Sequence, residues 1–137
     1  MSRHKAREVA LKALFQIDVG RIPVERAIEA ALAEEAPAPE AGGFARGLVM
    51  GTAERLAEID GVLRQFSVGW SVPRMANIDR NILRLAVYEI LHVPKIPASV
   101  SVNEAVELAK QYGDENSRRF INGILGNVVR SLRPEKV

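Results

Sequence analysis

Apolar residues recur at the three- and four-residue spacing of an α-helix along nearly the whole of this 137-residue chain. Nowhere do they alternate over a length that would bury one face of a strand. That pattern makes the fold class all-α. Residues 3–19 place Ala6, Val9, Ala10, Ala13, Leu14 and Ile17 on one stripe, with Gly20 as the stop and Arg3, Lys5, Arg7 and Lys12 largely outside it. Pro23 suits the start of a second helix carrying Ala27, Ile28, Ala31 and Leu32. Residues 36–43, rich in Pro, Ala and Gly, read as a loop. One long helix is predicted from Phe44 to Phe66, about 34 Å at 1.5 Å per residue. Gly47 and Gly51 share a face of it and are read as packing glycines.

Residues 67–73 read as a linker, with Pro73 opening a short helical turn. Asn77 is the expected cap of a central helix in which Ile82, Leu83, Leu85, Ala86, Val87 and Ile90 spread over more than one face, so that helix should be buried on several sides. Pro94 and Pro97 end it. Ser101 and Glu104 have the spacing of a capping box for the next helix, which Gly113 closes. Asp114 is the expected cap of the last, whose stripe runs from Phe120 to Leu132 before Pro134. Seven helical segments result, three before Trp70 and four after. They suggest an N-terminal three-helix bundle over residues 1–69 and a C-terminal helical bundle over 70–137, together one compact domain.

The residues that chemistry requires are sparse. No cysteine is present, which excludes a disulfide framework, a thiolate nucleophile and any Cys-ligated metal. The two histidines, His4 and His92, lie on different elements, and no phosphate-binding glycine loop or nucleophile elbow occurs. The chain therefore reads as a non-enzyme, with no catalytic residue, metal or cofactor expected. No apolar run approaches the ~20 residues needed to span a bilayer, so no membrane partner is expected and a cytoplasmic location is.

Charge is unevenly placed. Residues 1–12 hold four basic and one acidic residue, residues 13–60 four and nine, and residues 118–137 five and one. Two readings of the basic ends stand side by side: a surface that holds phosphates, or ordinary solvated helix faces. Ser117-Arg118-Arg119-Phe120-Ile121-Asn122-Gly123 sharpens the first. Guanidiniums pair with phosphate and an accessible phenyl ring stacks on an unpaired base, although Phe120 is equally the first core residue of its stripe.

Arg3-His4-Lys5-Ala6-Arg7-Glu8 followed by Ala10-Leu11-Lys12-Ala13-Leu14-Phe15-Gln16 resembles the opening helix of the NusB transcription antitermination factors. Ile82-Leu83-Arg84-Leu85-Ala86-Val87-Tyr88-Glu89-Ile90, Ile96-Pro97 and Val102-Asn103-Glu104-Ala105-Val106-Glu107-Leu108-Ala109-Lys110 are similar to the family's central blocks. Ser117-Arg118-Arg119-Phe120-Ile121-Asn122-Gly123-Ile124-Leu125 is similar to its last signature. The resemblance implies seven helices in two bundles. It also implies a factor that binds single-stranded boxA RNA together with NusE, a ribosomal protein. With other Nus factors on RNA polymerase, such a factor promotes read-through of terminators, notably in ribosomal RNA operons.

By position, the resemblance assigns Arg3, His4, Lys5 and Arg7 to a basic RNA-binding arm, and Arg119 and Phe120, with Arg118 beside them, to a basic–aromatic RNA contact. It assigns Phe15 and Asp79 to the NusE-facing surface. His4 stands where arginine is usual, and Asn116 where an acidic residue is common. One negative charge fewer, at Asn116, should favour phosphate binding by Arg118 and Arg119. The resemblance leaves monomer and homodimer both open. Two other readings are the RNA-binding module of a truncated RNA cytosine methyltransferase and a structural helical adaptor.

Overall fold

In the computed structural model, which describes residues 3–133, helix α1 spans Arg3–Asp18 and buries Ala6, Val9, Ala10, Ala13 and Leu14, as its periodicity requires. It ends where expected. A Cβ on Gly20 would lie 2.8 Å from the Gln16 carbonyl oxygen, so only glycine lets the chain turn so closely. Helix α2 spans Val24–Glu35 directly after Pro23, and Ala36 ends it in the left-handed conformation at φ 45° and ψ 51°.

Helix α3 spans Pro39–Glu54 and so begins inside the segment predicted as a loop. Two features outweigh the glycines there: Pro39 is preorganised for a first helical position, and Ala41 is buried. These three helices pack on one another as a compact unit, Met1–Glu54. Gly47 corrects the sequence reading, because a Cβ there would meet nothing within 4 Å and no close helix approach depends on it.

The long helix predicted to reach Phe66 is broken. Thr52 Oγ1 donates to the Leu48 carbonyl at 2.7 Å, a back-bond that tends to bend a helix, and Arg55 leaves the helical region at φ −111° and ψ 22°. Helix α4, Leu56–Phe66, then belongs to the second unit, Arg55–Val137. Ile59 and Leu63 are its buried face, while Leu56 is 37% exposed. The division between units therefore falls after Glu54, ahead of the segment at residues 67–73 that composition pointed to.

Helix α5, Asn77–His92, is the centre of this unit and packs against α4, α6 (Ala98–Tyr112) and α7 (Ser117–Leu132). Ile82, Leu83, Leu85, Ala86, Val87 and Ile90 are all buried, which explains an apolar surface too broad for one stripe. Arg84 and Glu89 are buried with them, each with a hydrogen-bond partner. Arg84 grips Asp60 of α4 through two hydrogen bonds, at 2.9 and 2.8 Å. Seven α-helices are present among the described residues, as counted from sequence, but the membership differs. The break at Arg55 adds one, and the Pro73 segment is only a single 3-10 turn, Val72–Arg74.

Three predicted caps are corrected. Asn77 is already helical, and its side-chain oxygen accepts from Arg80 Nη2 at 2.8 Å. Helix α6 starts at Ala98, three residues before Ser101, because Pro97 ends the preceding loop with extended backbone. Ser101 is therefore inside the helix, where it donates to the buried Glu89 at 2.9 Å. Asp114 acts two residues before the cap position, which Asn116 holds, and accepts from the Asn116 amide at 2.9 Å. Its own amide donates to Ser117 Oγ at 3.0 Å. A Cβ on Gly113 would sit 2.5 Å from that hydroxyl, so this turn requires glycine. Pro134 lies outside the described residues.

Candidate nucleic-acid interface

The first turns of α1 carry the four basic-arm residues, and each is engaged within the first unit. The Arg3 guanidinium lies 4.4 Å from the centre of the Phe44 ring and that of Arg7 5.5 Å from it. A cation over an aromatic face is held by the ring quadrupole, so Phe44 of α3 acts as a seat for both. Arg7 is only 3% exposed, which corrects its placement outside the apolar stripe. Its stem fills space in the bundle, and its guanidinium is not displayed to solvent. His4 lies 3.8 Å from Glu8 one turn on, and Lys5 pairs with Glu35 of α2 at 2.7 Å.

Lys12 reaches the same Glu35 carboxylate and lies 3.7 Å from Glu34. Glu35 thus sits between two ammonium groups. Hydrogen bonds from Lys12 and then Lys5 hold its pKa down at about 2, and the Glu35 bond correspondingly raises that of Lys5. Nothing in sequence spacing joins residues 5, 12 and 35; the packing of α1 on α2 does.

The start of α7, in the second unit, presents its cations differently. Arg118 and Arg119 stand exposed on the first turn of α7, and Phe120 beside them is half-buried. Spacing alone sets Phe120 between core and surface, and both descriptions apply in part. Its ring meets that of Trp70 edge to face, with centroids 6.0 Å apart and planes at 71°. Trp70 is 56% exposed and lies in the segment that composition marks only as a linker. The signal available was the sequence's lone tryptophan, set in a short segment bounded by serines and containing glycine and proline.

Phe15 is half-buried on α1. Asp79, in the first turn of α5, is only 8% exposed, which corrects the expectation of a displayed surface acid. Its Oδ1 is buried with no hydrogen-bond partner. Burial pushes its pKa up, the Ser117 hydroxyl pulls it back, and the nearby Asp114 charge raises it further. No three His, Cys, Asp or Glu side chains cluster to hold a metal among the described residues. None of the helices described there is long and apolar enough to cross a membrane.

Among the described residues the chain is helical, and it sets two exposed arginines beside an aromatic pair, side chains of the kinds that pair with phosphate and stack on unpaired bases. The NusB family profile matches residues 4–130, and this chain belongs to the NusB family. The transcription antitermination protein NusB of Pelotomaculum thermopropionicum is 55% identical over 134 residues, covering 96% of this chain and 91% of its own. The crystal form of T. maritima NusB superposes with a TM-score of 0.91 at 38% identity, over 98% of this chain and 94% of that one. A structure of the antitermination factors NusB and NusE in complex with dsRNA matches with a TM-score of 0.87 at 26% identity, covering 93% and 96%.

Proposed function

We propose that this protein is a non-catalytic transcription antitermination factor of the cytoplasm that binds single-stranded boxA RNA together with NusE. In this reading it joins RNA polymerase with other Nus factors and favours read-through of terminators, notably in ribosomal RNA operons. The observation that carries it is the Arg118–Arg119–Phe120 turn, with two exposed guanidiniums next to an accessible aromatic ring at the start of a helix in a NusB-family chain. Guanidinium contacts to phosphate supply a salt-sensitive attraction, and the ring supplies stacking that tolerates any base. Asn116 precedes this turn without adding a negative charge.

Arg3 and Lys5, with His4 between them, form a second basic element, tempered by their partners within the first unit. Phe15 and Asp79 are the proposed NusE contacts.

Gel-shift titration of labelled boxA RNA, with and without NusE and at two salt concentrations, tests the reading. Binding tightens with NusE and weakens with salt. Equal affinity with and without NusE, or no binding at all, would sink it.

A further inference from the structure

We propose that Trp70 is a second base-stacking residue, which extends the RNA surface of the second unit by one unpaired nucleotide and uses Arg74 for that nucleotide's phosphate. The proposal rests on the RNA-binding reading above and adds a site to it.

The segment that composition marks as a linker is built to hold this side chain. The Trp70 amide donates to the Ser67 carbonyl at 3.1 Å, closing a four-residue turn. Gly69 occupies its third position at φ 85°, the left-handed conformation that a type II turn demands there. The buried Ser67 hydroxyl bonds the Leu63 carbonyl at 2.6 Å and the Trp70 carbonyl at 3.0 Å, tying the turn to the end of α4.

Downstream, Val72 and Met75 are buried. The Arg80 guanidinium donates to the carbonyls of Val72, Pro73 and Met75, each at 3.3 Å. Backbone on both sides of Trp70 is therefore anchored, yet the indole is left more than half exposed. Hydrophobic burial alone would favour the reverse, since an indole is among the most rewarding groups to hide.

The surroundings select the occupant. Trp70 and Phe120 meet at 71°, so their ring planes are nearly perpendicular, and a base can stack on an indole face without displacing the phenyl ring. An open recess is lined by Gly69, Trp70, Ser71 and Arg74, and a Cβ on Gly69 would meet nothing within 4 Å, so a flat ring has clear access. Exposed Arg74 lines this recess, and exposed Arg118 and Arg119 adjoin the neighbouring ring of the pair. Paired aromatic rings with guanidiniums suit a polyanion carrying unpaired bases better than an apolar protein surface.

Trp70 is the only tryptophan, so its intrinsic emission reports on this site alone. The full chain is titrated with a boxA RNA oligonucleotide, with and without NusE, while anisotropy of the labelled RNA is followed in parallel. Binding quenches the emission, Trp70→Ala weakens RNA affinity by about 5- to 100-fold, and Trp70→Phe weakens it less. RNA that binds by anisotropy with emission unchanged, and equally well to Trp70→Ala, overturns the site while the RNA-binding reading stands. Absence of RNA binding in every arm overturns both. An emission change produced by NusE alone, to which RNA adds nothing, makes this a protein contact and also overturns the proposal.

Discussion

The basic cluster of α1 and the one that opens α7 hold their cations in different ways. In the first, Lys5 and Lys12 converge on one glutamate, and Arg3 and Arg7 lie over one phenyl ring. In the second, Arg118 and Arg119 are exposed beside a ring pair. The same residue type thus serves the bundle in one place and is presented to solvent in the other. Counting basic residues cannot separate the two, because both ends of the chain look alike by charge.

The contrast can be broken most forcefully at Arg7. Arg7→Ala should cost about 2 kcal/mol of unfolding free energy, because it removes the packed stem and a desolvated cation over the Phe44 ring. The salt dependence of RNA binding should stay as in the parent. Urea unfolding alongside RNA titration checks both, and a shallower salt slope at parental stability would erase the distinction.

Arg118→Ala with Arg119→Ala should do the converse. Each single-strand phosphate left without its arginine lowers the slope of log affinity against log salt by about 0.7, while exposed substitutions change stability by less than about 0.5 kcal/mol. Titrations at several salt concentrations measure the slope. If it does not change, the exposed pair does not bind phosphate.

Asp79 sharpens the contrast from the acidic side. A carboxyl whose folded pKa is raised is best accommodated when protonated, and it loses stability as pH rises from its unfolded value through its folded one. Asp79→Asn should therefore raise the stability of the isolated protein at neutral pH by about 1 kcal/mol while weakening NusE binding. Thermal unfolding and a NusE titration, read together, would expose the idea as mistaken if NusE bound unchanged.

The smallest effect concerns Glu35. Its pKa falls from 4.5 unfolded to about 2 folded, so its stabilisation is complete above the unfolded value and is lost as pH falls through about 2. Glu35→Gln should flatten the acid limb of the stability curve between those values, as urea midpoints against pH will show. It should also loosen Lys5 and Lys12 and steepen the RNA salt slope slightly. An unaltered acid limb would mean the two lysines do not hold this carboxylate.

Helix identity was legible wherever an apolar stripe was strong, as in α1, α5 and α7. Boundaries were not, because Pro39, Arg55 and Ala98 mark ends set by packing and by local backbone geometry. The Arg118–Arg119–Phe120 cluster was legible as three adjacent residue types. Trp70 was not, since its ring meets Phe120 only after the turn at Gly69 and the Arg80 clamp place it there.

Sequence alone determined that the chain is helical, and its ordered blocks were sufficient for the family resemblance. Helical periodicity is a local property, written in side chains three and four residues apart. Tertiary structure alone decided which cations are neutralised and which are offered, and that Trp70 shares an edge with Phe120. Those outcomes depend on contacts between residues tens of positions apart, whose partners no local pattern specifies.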